Sequence, residues 1–141
     1  MLTKAQEKEL NILLIEDNPD DVLLTKLASK DVGINGKFEV VNNGKSAIEH
    51  LTNIISMGKT FPDLILLDIN LPVVNGFEVL KLIKSNQSAG SIPTVVFTSS
   101  DSISDMKYSY EHGADLFVRK PNNINDFKEV MKYIKNQCFK I

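Results

Sequence analysis

The chain has 141 residues, 43% hydrophobic and 24% charged, with 16 basic and 18 acidic residues and a formal net charge of −2. That length fits one ordinary domain with a packed core, and the charge balance offers no strongly basic patch for direct contact with nucleic acid. The longest apolar run is about half of the ~20 residues a bilayer span requires, so no membrane segment is expected. The opening segment 1–9 carries both signs of charge, unlike a signal peptide. Cys138, the lone cysteine, cannot form an internal disulfide, and the cytoplasm is the expected compartment.

In chain order, Ile12-Leu13-Leu14-Ile15 is a short apolar burst without alternation, the pattern of a strand buried on both faces. Asn18-Pro19 reads as an N-cap followed by proline at the first helical position, opening a helix to about Lys30. Gly33 and Gly36 mark the turn. Phe38-Glu39-Val40-Val41 alternates more and reads as an edge strand. Asn43-Gly44 opens a helix with Ala47, Ile48, Leu51 and Ile55 on one stripe, stopped by Pro62. Leu64-Ile65-Leu66-Leu67 is a third strand, followed by a loop over 69–75 and a helix from about Gly76 to Ser85. Pro93-Thr94-Val95-Val96-Phe97 is the fourth strand. Asp101 or Ser102 caps the next helix, which ends at Gly113 and carries Ile103, Met106, Lys107 and Tyr110 at helical spacing, most of them expected in the core. Leu116-Phe117-Val118 is the fifth strand. The last helix presents Phe127, Val130, Met131 and Ile134. Five strands alternating with five helices predict an α/β domain, a doubly wound parallel sheet covered on both faces.

In such a sheet, ligands bind beyond the carboxyl ends of the strands. The first strand end carries Glu16 and Asp17, with Asp20 and Asp21 beyond. The third carries Asp68, the fourth Thr98, Ser99 and Ser100, and the fifth Arg119 and Lys120. A polar residue at one strand end needs only water as its explanation, whereas acids, a hydroxyl and an ammonium on four strands at one edge ask for more. Three carboxylates brought within ~4–6 Å repel by a few kcal/mol even at an effective dielectric near 20. Lys120 offsets part of that, and Mg²⁺, a hard cation that takes oxygen ligands and shares phosphates, suits the rest. Carboxylate, Mg²⁺, hydroxyl and lysine around one point describe a phosphoryl-transfer site with an aspartate as acceptor.

These residues resemble the receiver domains of two-component response regulators. The likeness covers the chain from about Asn11 to Gln137. It rests on Glu16-Asp17, on Asp68-Ile69-Asn70-Leu71-Pro72 with Asn75-Gly76 following, on Thr98-Ser99-Ser100 and on Lys120-Pro121. The resemblance implies a five-stranded sheet of order 2-1-3-4-5, a lead-in over 1–10, a receiver over 11–137 and a tail over 138–141. It implies Asp68 as the phosphorylation site and a metal set of Glu16 (directly or through water), Asp17, Asp68 and the backbone carbonyl of Asn70. Thr98 and Lys120 would hold the phosphoryl oxygens, Lys120-Pro121 would be a cis peptide, and Phe117 would be the switch aromatic that turns inward when Thr98 moves. Glu16 stands where an aspartate is common in the family. The text around Asn18-Pro19-Asp20-Asp21 and Leu71-Pro72 is most similar to stand-alone receivers that partner bacterial and cyanobacterial phytochromes.

The resemblance implies a phosphoacceptor switch and not an enzyme beyond its own phosphotransfer and autodephosphorylation. Its donor would be a sensor histidine kinase, with the phytochrome type as the candidate the resemblance offers. With no output domain expected, it would act on an unknown downstream protein through the face from about Ser102 to Lys135, as a monomer or a weak homodimer with Tyr108, Phe139 and Ile141 at the contact. His50 and His112 read as surface histidines. A small-molecule or flavin-binding domain would need a hydroxyl- and glycine-rich phosphate loop where Glu16-Asp17 stands, and a phosphatase would need an aspartate where Asn70 stands.

Overall fold

The computed structural model describes residues 9–139, so most of the expected lead-in, and Ile141 with its expected dimer contact, lie outside the described residues. The elements in order are β1 (Leu10–Ile15), α1 (Pro19–Asp31), β2 (Gly36–Val41), α2 (Gly44–Met57), β3 (Leu64–Leu67) and α3 (Gly76–Ser85). After a 3₁₀ turn (Ala89–Ser91) come β4 (Thr94–Thr98), α4 (Ile103–Glu111), β5 (Leu116–Arg119) and α5 (Ile124–Cys138). All pairings are parallel and the strand order is β2-β1-β3-β4-β5. The sheet order reverses between β1 and β3, which opens the crevice at their carboxyl ends.

The central strands are buried on both faces, as their unbroken apolar runs require. Alternate residues feed two cores. Leu13, Ile15, Ile65, Leu67 and Val96 meet Ala47 and Leu51 of α2 and Val79, Leu80 and Ile83 of α3. Ile12, Leu14, Leu64, Leu66, Val95 and Phe97 meet Ala28 of α1 and Phe127, Met131 and Ile134 of α5. The Phe97 and Phe127 rings pack edge to face, centroids 5.6 Å apart, worth ~0.5–1.5 kcal/mol beyond their burial.

Caps set the helix starts. Asn18, Asn43, Asn75, Ser102 and Asn123 each accept a backbone N–H of the following turn through a side-chain oxygen. The helix α2 ends at Gly58, whose φ of +63° is the left-handed C-cap conformation, before Pro62 is reached. Its inward face is Ala47, Leu51 and Ile54, with Ile48 and Ile55 flanking.

The expectation that α4 buries its apolar stripe is corrected. Ile103 is 67% exposed, Tyr110 46% and Met106 37%, and Ser109 is the buried residue of the helix. The helix lies beside the edge strand β5, so the stripe faces outward over the sheet margin. Among the described residues no helix is long and apolar enough to cross a membrane.

Candidate functional site

The crevice fills with the residues that the strand ends deliver. Glu16 follows β1, Asp68 follows β3, Thr98 closes β4 and Lys120 follows β5. All four are buried: Glu16 is 3% exposed, Asp68 4%, Thr98 0% and Lys120 9%. Parallel pairing of Ile15 with Leu67 puts Glu16 and Asp68 side by side. One oxygen each from Glu16, Asp17 and Asp68 lies within 4.8 Å of the others, with Asp17 on the exposed side. Three hard oxygen donors at that spacing, with no nitrogen or sulfur among them, fit a small divalent cation such as Mg²⁺ or Mn²⁺.

Lys120 Nζ is the positive centre of the pocket. It lies 2.9 Å from Asp68 Oδ2, 2.5 Å from Glu16 Oε1 and 3.0 Å from Asp21 Oδ2. Burial works against its charge, but the hydrogen bonds and charges of Glu16 and Asp68 outweigh it and raise the pKa above the ordinary lysine value. Burial pushes the Glu16 carboxyl up to about 7, with the Asp68 charge adding to the rise and Lys120 only partly offsetting it. One ammonium is thus shared among three acids.

Asp68 Oδ1 accepts the Asn70 N–H at 3.0 Å, and Glu16 Oε2 accepts the Asn18 N–H at 3.3 Å. The Thr98 hydroxyl oxygen accepts from Asn70 Nδ2 at 3.4 Å and from the Ser100 N–H at 3.3 Å. The Ser100 hydroxyl donates to Asp105 in the first turn of α4 at 2.6 Å, and the Ser102 N–H donates to Ser100 Oγ at 3.2 Å. A hydrogen-bond path therefore runs from the pocket into α4. Phe117 on β5 is half-buried against the α2–α3 core, and its N–H donates to the Tyr110 hydroxyl at 3.0 Å.

The structure brings Glu16, Asp17, Asp68, Thr98 and Lys120 together, with Asn70 touching both Asp68 and Thr98, while Ser99 and Arg119 stay exposed. The peptide geometry is corrected: no peptide bond among the described residues is cis, so Lys120-Pro121 is trans. Trans is the lower-energy isomer of X–Pro by ~0.5–1 kcal/mol, and the trans chain delivers the lysine to all three acids. Sequence reasoning passed over Asp21 as a partner of Lys120, a contact across 99 positions. The available signal was the Asn18-Pro19 cap, which fixes Asp21 at the third helical position, beside the strand ends.

The other singled-out residues lie apart from the pocket. His50 Nδ1 is 3.7 Å from a Glu39 oxygen. His112 stacks on Tyr108 with centroids 4.0 Å apart, and Tyr108 meets Phe77 edge to face at 4.6 Å. Both histidines and Tyr108 are half-buried. Phe139 packs against the α1–α5 core.

A doubly wound parallel sheet with acids gathered around a lysine at its carboxyl edge is the class of protein these observations define. The family model of the response regulator receiver domain matches residues 12–132. Response regulator Rcp1 of Synechocystis sp. is 33% identical over 126 residues, which cover 89% of this chain and 86% of that protein. Probable methanogenesis regulatory protein FilR2 of Methanothrix harundinacea is 36% identical over 124 residues, covering 88% of this chain and 80% of that protein. Among solved structures, the phosphorylated cyanobacterial phytochrome response regulator RcpA superposes with a TM-score of 0.82 at 32% identity, covering 92% of this chain and 93% of that one. The Mn²⁺-bound form of Rcp1 gives 0.80 at 33% identity, covering 90% and 92%. The chain belongs to the response regulator receiver family, and with it to two-component signalling.

Proposed function

We propose that Asp68 accepts a phosphoryl group from a sensor histidine kinase in a Mg²⁺-dependent reaction, and that the domain signals by altering a partner-binding surface. The observation that carries this reading is the buried Asp68 carboxylate, touching Lys120 at 2.9 Å and sharing an oxygen-donor cluster with Glu16 and Asp17.

An Asp68 carboxylate oxygen attacks phosphorus, the new O–P bond forming as the N–P bond of the donor phosphohistidine breaks. The imidazole leaves and takes a proton from water. Lys120 moves its ammonium onto a phosphoryl oxygen, and Thr98 turns its hydroxyl hydrogen toward another. Glu16, Asp17, Asp68 and the Asn70 carbonyl would hold Mg²⁺, which would supply positive charge to offset that of the transferring group. Buried Asp68 keeps bulk water from competing for the acyl phosphate.

Movement of Thr98 withdraws the acceptor of the Ser100 N–H and makes room for Phe117 to turn inward, so the β4–α4 connection and the α4–β5–α5 face, residues 102–135, change together. The exposed Ile103, Met106 and Tyr110 make that face suited to a protein partner. The donor we favour is a phytochrome-type kinase, on the likeness to the cyanobacterial phytochrome response regulator RcpA and to the bacteriophytochrome response regulator RtBRR. Chemistry beyond its own phosphotransfer and hydrolysis is not part of this reading.

The test is labelling by acetyl phosphate or a histidine kinase of wild type beside Asp68→Asn and Asp68→Ala. Label in wild type, dependent on Mg²⁺ and lost in both variants, supports the reading. Undiminished label on either variant refutes it.

A further inference from the structure

The three N–H donors of Lys120 are all committed to carboxylates: Glu16 at 2.5 Å, Asp68 at 2.9 Å and Asp21 at 3.0 Å. Two of these acids belong to the oxygen cluster that suits a divalent cation, and Asp21 does not. A cation held by Glu16 and Asp68 would therefore compete with the ammonium for both carboxylates. Asp21 is the contact that remains.

Its position is fixed by its own turn of helix. The Asp21 N–H donates to the Asn18 cap at 3.3 Å, and its carbonyl accepts the Thr25 hydroxyl at 2.7 Å. The carboxylate is 22% exposed beside a lysine side chain that is 6% exposed, so it closes the solvent side of the ammonium. A negative charge at the mouth of a phosphate site opposes the incoming group, but in direct contact with an ammonium most of that charge is neutralised.

We infer that Asp21 is a positioning residue for phosphoryl transfer: it anchors the Lys120 ammonium over Asp68, receives it when Glu16 lets go, and keeps one donor aimed at the incoming phosphoryl oxygen. This rests on the phosphoacceptor reading above.

The experiment compares wild type with Asp21→Asn, Asp21→Glu and Asp20→Asn. Asp20 carries the same charge one residue earlier on exposed surface, so its variant controls for the field of the lost charge. Folding of each is checked by the amide spectrum. The first readout is the Lys120 ammonium ¹H–¹⁵N signal in protein without divalent cation or phosphodonor. It is resolved in wild type and Asp20→Asn, broadened or shifted in Asp21→Asn, and recovered in Asp21→Glu. The second is labelling by acetyl phosphate at saturating Mg²⁺. In Asp21→Asn the saturating rate falls about tenfold, less than the loss of a whole donor would cause, while the half-saturating acetyl phosphate concentration moves less than about twofold. Asp21→Glu regains most of the rate.

An unchanged ammonium signal in Asp21→Asn, or equal effects of Asp20→Asn and Asp21→Asn, overturns the assignment. Wild type that labels while Asp21→Asn labels equally fast overturns it alone. Wild type that takes no label overturns the phosphoacceptor reading itself, and the positioning role with it.

Discussion

Gly44 lies directly against the carbonyl of Val74, where a Cβ at position 44 would overlap that oxygen and crowd the Val74 side chain. The two residues join the start of α2 to the loop between β3 and α3, and the Gly44 N–H also points at the Pro72 carbonyl, 3.4 Å away. The obstacle is backbone and cannot rotate aside. Gly44→Ala is expected to destabilise the fold by about 1–3 kcal/mol and, since the displaced loop follows Asp68, to shift the amide signals of Asp68 and Asn70. Urea unfolding and an amide spectrum check both, and an unmoved midpoint would show that the loop yields freely.

Val73 occupies the tip of that loop with a φ of +72°, and the Val74 N–H donates to the Pro72 carbonyl at 2.9 Å, closing a three-residue γ-turn around it. A β-branched residue is strained there, and at 79% exposure its side chain gains little from burial. Val73→Gly should therefore stabilise the protein by about 1 kcal/mol, strain relief exceeding the entropy glycine adds to the unfolded chain. A lower melting temperature would contradict this.

Replacing Lys120 by Met leaves Glu16 and Asp68 buried without their counter-charge. In metal-free protein the expected loss is about 3 kcal/mol, blunted by protonation of Glu16, whose carboxyl already sits near 7. Mg²⁺ should then stabilise the variant more than it does wild type, since the oxygen cluster has nothing else to neutralise it. Thermal unfolding with EDTA and with Mg²⁺ reads the difference, and equal shifts in the two proteins would argue against a shared site.

Burial pushes the Cys138 thiol from 9.0 up to about 11, with the Asp115 charge adding to it. At pH 8 the thiolate fraction is about a hundredfold lower than in the unfolded chain, and iodoacetamide should alkylate the native protein correspondingly slowly. The linkage sign follows: the folded state favours the neutral thiol, so this contribution to stability is complete below 9 and is lost as pH rises through 11. Alkylation at the unfolded rate would place the thiol in solvent.

Where one segment carries both its own punctuation and its own burial, the sequence was legible to the residue. β3 is four apolar residues set between Asp63 and Asp68, and α3 starts at its Asn75 cap. The pocket acids were legible for a related reason, since a parallel sheet brings all strand ends to one edge whatever the register. What escaped depends on neighbours that no local pattern names. The stripe Ile103, Met106, Tyr110 marks a helix face, but spacing does not say whether that face meets protein or solvent. Helix α2 stopped at Gly58 because a left-handed cap is available there, earlier than the proline that cannot continue a helix. The Asp21–Lys120 contact joins the first helix to the last strand end, and the Asn18-Pro19 cap that places Asp21 says nothing of a partner 99 positions away. The Lys120-Pro121 isomer likewise has none.

The odd and even positions of β3 answer to different interiors, Leu64 and Leu66 to one and Ile65 and Leu67 to the other. An inserted residue in this strand would exchange the tenants of both interiors at once and rotate the following aspartate to the opposite side. Asp68 is in effect indexed twice, and a frame error of one position would be resisted from above and below the sheet together.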